Sequence, residues 1–229
     1  MQDYGRVALY FVPEPGPLAD FGSSWLGWDI ATGQPCPHPD SADLPVPVET
    51  LTRVPRKYGM HGTLKPPFRL APGYRAEDVE ETARLICASI APVPLGRLRP
   101  ARIGKFLALV PEGPTPELAA LAEQLVRGLD QFRAPPSPEE LARRRKQRLS
   151  PRQEELLMQW GYPYVMEEFR FHCTLTGPLD AEIAGPVLDW IDSRIASIVI
   201  QPVIARYVSF VGERADGRFE EISKVPLTG

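Results

Sequence analysis

The chain has little of what would mark a secreted, membrane or duplex-binding protein. Its 229 residues include only three cysteines. Cys36, Cys87 and Cys173 are odd in number and widely spaced, which argues against a disulfide framework. The longest apolar run, Val7 to Val12, falls far short of the roughly 18 residues of a membrane helix. The opening Met-Gln-Asp-Tyr-Gly-Arg leads directly into a strand-like segment and lacks the form of a signal peptide. Charge is nearly balanced, with 26 Lys plus Arg against 29 Asp plus Glu and a net charge of −3. A large cationic footprint for duplex nucleic acid is therefore missing. Histidine is as scarce as cysteine, with three copies. The expectation is a cytoplasmic monomer with a small-molecule partner, no membrane and no strong duplex binding.

Proline is plentiful: the 27 prolines are roughly twice the usual share. They cluster at Pro13 to Pro17, Pro35 to Pro47 and Pro135 to Pro138, which read as stiff loops. Hydrophobic residues at 43% and charged residues at 24% fit a globular chain long enough to bury a core.

Local patterning predicts a mixture of strands and helices. Arg6 to Pro13 reads as a buried strand and Leu18 to Trp28 as a short helix. Tyr58 to Lys65 reads as a strand ended by Pro66 and Pro67, which cannot donate to a ladder. Helical spacing recurs over Ala76 to Ile90, Pro116 to Phe132 and Ala181 to Ile195. Ser137 to Trp160 reads as two helices split at Ser150-Pro151, with serine as cap and proline in the first turn. Ile103 to Val110, Phe169 to Thr176, Ala205 to Val211 and Phe219 to Val225 read as strands.

Two of the three histidines sit in one repeated pattern. His61-Gly-Thr63-Leu64-Lys65-Pro66-Pro67-Phe68 aligns with His172-Cys-Thr174-Leu175-Thr176-Gly177-Pro178-Leu179, the shared form being His-x-Thr-Leu-x-x-Pro-apolar. Side chains at i and i+2 of a strand share a face. His61, Thr63 and Lys65 then point one way, and so do Arg170, His172, Thr174 and Thr176, with Phe171, Cys173 and Leu175 on the opposite side. Each row offers a proton-transfer group, a hydroxyl donor and a cation. Histidine titrates near neutrality and serves as either acid or base. The threonines suit non-bridging phosphate oxygens, and Lys65 and Arg170 suit developing negative charge. Such a pair needs no metal and no cofactor.

These motifs, about a hundred residues apart, resemble the 2H phosphoesterase superfamily. Tyr58 to Leu70, Trp160 to Tyr164 and Phe169 to Pro178 are similar to its branch encoded near phosphonate-utilisation genes, and Ala8 to Pro13 with Trp25 to Asp29 fit the same branch. The resemblance implies an α+β fold over residues 1–229. That fold is bilobal and pseudo-twofold, with two antiparallel sheets flanking a central groove and helices outside; residues 133–160 form a helical insertion. It implies His61 and His172 as the acid–base pair and Thr63 and Thr174 as phosphate holders. The implied activity is hydrolysis of a small cyclic or 2′-linked phosphodiester, in the setting of phosphonate metabolism.

The residues leave alternatives open. The same groove suits a ligase or transferase, or a module that binds a phosphorylated ligand without turnover. Which histidine is the base is undecided. His38 reads as an exposed loop residue, and Cys87 and Cys173 as buried thiols. Arg143-Arg-Arg-Lys-Gln-Arg148 reads as a solvated helix face, the alternative being an arm towards substrate. Tyr162 and Tyr164 read as loop anchors that could otherwise stack on a base or sugar.

Overall fold

The computed structural model describes residues 4–146 and 148–229. In the first half, strand β1 (Val7–Phe11) leads through helix α1 (Pro17–Leu26), the short strands β2 (Trp28–Asp29) and β3 (Gln34–Pro35) and helix α2 (Val48–Thr52) to β4 (Gly62–Phe68). Helix α3 (Ala76–Cys87), strands β5 (Val93–Gly96), β6 (Leu98–Ile103) and β7 (Phe106–Pro111) and helix α4 (Pro116–Gly128) follow. The rest comprises α5 (Pro138–Arg145), α6 (Pro151–Trp160), β8 (Cys173–Thr174), α7 (Ala181–Ile198), β9 (Val203–Ala205), β10 (Tyr207–Glu213) and β11 (Phe219–Pro226). The fold class is α+β, and every strand pairing among the described residues is antiparallel.

The two sheets expected from sequence are halves of one seven-stranded sheet in the order β11-β10-β1-β4-β8-β7-β6. A four-stranded half and a three-stranded half meet where β4 and β8 share a single register pair, Gly62 opposite Cys173. Each histidine motif therefore lies on one side of this seam. β1 is buried throughout because both faces of the sheet are covered. Val7, Leu9 and Phe11 face the main core with Trp25, Leu64, Val79, Leu121 and Ile191, whereas Ala8 and Tyr10 join Trp28, Ile30, Val211 and Phe219 on the other face. A strand covered on both faces reads as a continuous apolar run rather than an alternating one.

The paired helices between α4 and β8 form as their caps predict. Ser150 Oγ accepts from the Gln153 amide at 3.1 Å, and the Gln153 side chain accepts from the Ser150 amide at 3.0 Å, with Pro151 opening α6. Leu156 then packs with Val126 of α4 and Val165.

Expected strand boundaries shift at several places, most at the two histidine motifs. β4 begins only at Gly62 and runs through Pro66 and Pro67 to Phe68. The prolines are tolerated because β4 pairs with β8 only at Gly62 and its register against β1 slips twice, so the missing amides break no regular ladder. In the second copy, regular strand shrinks to Cys173–Thr174. The hairpin of β6 and β7 brackets a turn at Gly104, and β6 carried too weak an alternation to be read from sequence.

The seam depends on a missing side chain. A Cβ on Gly62 would lie 2.2 Å from the Phe171 ring, and that ring is itself fixed edge-on against Phe11 at 5.8 Å. Gly62→Ala is expected to destabilise the protein by about 1–3 kcal/mol through this overlap. Chemical denaturation of the two proteins measures it, and equal midpoints would refute the account.

Candidate active site

Antiparallel registers run in opposite senses, so extending the Gly62–Cys173 pair by one residue each way sets His61 across from Thr174 and Thr63 across from His172. All four side chains leave the face opposite Gly62 and Cys173, and all four line one cavity of about 760 Å3. The histidines occupy a diagonal of this arrangement, a separation of roughly 7–8 Å between strand positions.

Each ring is held by the carbonyl two residues before it. His61 Nδ1 donates to the Gly59 carbonyl at 3.0 Å, and His172 Nδ1 donates to the Arg170 carbonyl at 2.8 Å. With the proton fixed on Nδ1, the neutral ring presents Nε2 as an acceptor. Thr63 Oγ1 lies 3.3 Å from His61 Nε2. Gly59 supplies its carbonyl from a left-handed conformation (φ 65°), and a Cβ there would lie 2.6 Å from Ile30 Cβ.

The surroundings of the two rings differ. His61 stacks on Tyr10 at 4.0 Å between centroids and tilts against Tyr58 at 5.8 Å. His172 has one aromatic neighbour among the described residues, Phe106 at 5.7 Å. Burial pushes the pKa of His61 down to about 4, the Gly59 hydrogen bond pulls against this, and nearby His172 adds to the depression. Tyr10, Tyr58 and Phe106 were not singled out from sequence. Tyr10 lies beside Thr63 in the β1–β4 register, and no local pattern announces that pairing.

Lys65 is a correction. It lies outside the cavity, almost fully buried, with Nζ donating to the Val126 carbonyl at 3.1 Å and resting over the Phe68 ring at 4.9 Å. The cause is a bulge: Tyr10 pairs with Thr63 but the adjacent Leu9 pairs with Lys65, so Leu64 is an extra residue and Lys65 turns to the core face. Burial lowers its pKa to about 8, opposed by Asp130 and reinforced by Arg133.

Arg170 does line the cavity, though its Nη1 donates to the Glu167 and Phe169 carbonyls at 2.8 and 2.7 Å and so braces its own loop. Thr176 is buried behind the site, accepting from the Leu107 amide and donating to the Gly177 carbonyl. Cys173 is buried on the opposite face, its thiol pushed up to about 12 by burial, and Cys87 is likewise in the core. His38 is not an exposed loop residue: it is half-buried, and its Nδ1 donates to the Ser24 and Trp25 carbonyls at the end of α1.

The basic run divides. Arg143 and Arg145 are exposed and pair with Glu140 and Glu154, whereas Arg144 lines the cavity with Tyr162 and Tyr164; Gln147 lies outside the described residues. Arg6 and Glu168 line it as well. Among the described residues, no three His, Cys, Asp or Glu side chains converge to hold a metal ion, and no helix is long and apolar enough to cross a membrane.

With both motifs converging on one cavity of an α+β fold, the chain can be set beside known proteins. Residues 63–220 match the family described as a protein of unknown function, DUF1045, and the chain belongs to that family. It is 37% identical over 231 residues to a ribose 1,5-bisphosphate phosphokinase PhnN of Janthinobacterium sp. (strain Marseille), covering 98% of this chain and 51% of that protein. It is 36% identical over 179 residues to a protein of the same name from Laribacter hongkongensis (strain HLHK9), covering 76% and 40%. The chain therefore spans about half the length, or less, of these curated relatives. Similar solved structures include a phosphoesterase, 14% identical with a TM-score of 0.47, and E. coli LigT complexed with 3′-AMP, 14% identical with a TM-score of 0.48. Each alignment covers 99% of this chain and all of the other.

The depressed pKa of His61 carries a sign for stability. Between about pH 6.5 and about pH 4 the unfolded chain takes up a proton at this residue and the folded chain does not. The contribution is therefore full above pH 6.5 and is lost as pH falls towards 4. Calorimetric melting should show a lower melting temperature at pH 4.5 than at pH 7, and His61→Gln should remove part of that fall. An imidazole resonance of His61 titrating near 6.5 would contradict the assignment.

Proposed function

We propose that this chain is a 2H-type phosphoesterase that opens a small cyclic or 2′-linked phosphodiester without a metal ion. The observation that carries the reading is the convergence of His61, Thr63, His172 and Thr174 across the β4–β8 seam on one cavity. Two imidazoles on a diagonal, each with Nδ1 on a backbone carbonyl, suit a paired proton transfer at one phosphorus.

Water attacks phosphorus while Nε2 of one histidine takes its proton. As the bond from phosphorus to an ester oxygen breaks, the other histidine donates a proton from Nε2 to that oxygen, and the product is a phosphomonoester with a free hydroxyl. Thr63 and Thr174 donate to the non-bridging oxygens, where charge builds. His61 is the base in this direction: between Tyr10 and Tyr58 its charged form is disfavoured, so it stands neutral at pH 7. His172, less enclosed by aromatic rings, is the acid. The roles exchange in the reverse direction.

A ribose phosphate is the substrate class that the relatives' name supports, and their PhnN designation supports a place in phosphonate metabolism. The phosphokinase activity in that name is not carried over. This chain spans only about half of those proteins and contains no Gly-x-x-x-x-Gly-Lys-Ser/Thr loop of the kind that cradles nucleotide phosphates.

Single replacement of His61 or His172 by alanine is expected to lower the rate on ribonucleoside 2′,3′-cyclic phosphates by roughly 10²–10⁴-fold with little change in substrate affinity. Activity that vanished with a chelator and returned with a divalent ion would refute the mechanism. The pH profile of kcat/KM should be bell-shaped with its acid limb below pH 5, because activity rises as the base loses its proton. A limb near 6.5 would reassign the base.

A further inference from the structure

Arg144 is the cation of the basic run that reaches the cavity, and the proposed chemistry does not use it. It lies on α5. Its guanidinium carbon sits over the Tyr162 ring, 4.5 Å from its centre. Its Nε is buried and has no hydrogen-bond partner among the described residues, although a buried donor is ordinarily satisfied. The neighbouring arginines are engaged: Arg143 and Arg145 pair with glutamates, Arg6 is clamped by both oxygens of Glu213 at 2.6 Å, and Arg170 braces its loop. Glu168, the carboxylate lining the cavity, is held by Gln153 Nε2 at 2.9 Å. Tyr162 in turn lies within electrostatic reach of Tyr10 and Tyr58, the two rings against His61.

We infer that Arg144, held on Tyr162, binds a second anionic group of the substrate, a phosphate monoester, while the diester occupies the histidine pair. A planar guanidinium with a free buried donor matches phosphate oxygens. A cavity of about 760 Å3 belongs to the range that takes a whole small molecule, and one diester group fills a fraction of it. The inference rests on the phosphodiesterase reading for the diester but not for the binding of the monoester, and the test separates the two.

Turnover is measured on adenosine 2′,3′-cyclic phosphate with and without a 5′-phosphate, using the unaltered protein, Arg144→Ala and Arg144→Lys. The preference for the 5′-phosphorylated substrate, as a ratio of kcat/KM, is expected to fall by about 10- to 100-fold in Arg144→Ala and to recover partly in Arg144→Lys. In parallel, calorimetry follows ribose 5-phosphate binding to a His61→Ala, His172→Ala protein with and without Arg144→Ala, with thermal melting to verify folding. Phosphate-dependent binding that weakens about tenfold or more without Arg144 supports the subsite even if no diester is turned over, an outcome that would defeat the catalytic reading alone. Turnover with no preference for the 5′-phosphate, a preference that survives Arg144→Ala, or ribose 5-phosphate binding that is absent or indifferent to Arg144 overturns it.

Discussion

The β4–β8 seam is narrow, and the meeting of both histidine motifs on one cavity depends on it. One register pair, Gly62 with Cys173, joins a four-stranded half-sheet to a three-stranded one. A broader ladder would have continued the pleat past both motifs and filled the face with ordinary strand neighbours. A seam of one pair lets the chain leave the sheet on either side, through the turn at Gly59 before the first motif and through the loop at Arg170 before the second. The carbonyls of those two irregular residues anchor His61 and His172. Phe171 packing over bare Gly62 is the contact that closes the seam from behind.

From that constraint follows a division of labour between the two faces of the sheet. The face opposite the histidines carries Cys173, Leu9, Leu175 and the main core. The histidine face carries aromatic rings that enclose His61 more tightly than His172. Near-symmetric motifs thus sit in unlike surroundings without any difference in the motif itself, and desolvation lowers the proton affinity of the better-covered ring, His61. The distinction between base and acid in the proposed reaction arises from neighbours on β1 and the loop before β4.

The two helices between α4 and β8 add a cation to the cavity. Helices α5 and α6, capped by Ser137 and Ser150, bring Arg144 to the cavity that also holds Tyr162. One residue of a five-cation run turns inward while its neighbours stay in solvent, as helical geometry requires of positions about 100° apart. Charge density along the sequence marked the run as a whole, and only packing singled out Arg144.

Much was legible before any fold was known. Paired His-x-Thr copies named four residues that share one cavity, and the serine–proline caps marked where α5 and α6 begin. These are local matters, decided by strand periodicity and by backbone amides that need a partner. Lys65 shows where local reasoning stops: period-two alternation assigns it to the substrate face, and a bulge set by the β1 register sends it into the core. His38 as a helix cap, Tyr10 against His61, and the single-pair seam belong to the same class. The amino-acid order by itself determined which groups were available for proton transfer and phosphate binding. Tertiary structure alone decided which of them meet and how each is solvated, because strand register and burial are set by partners distant in the chain.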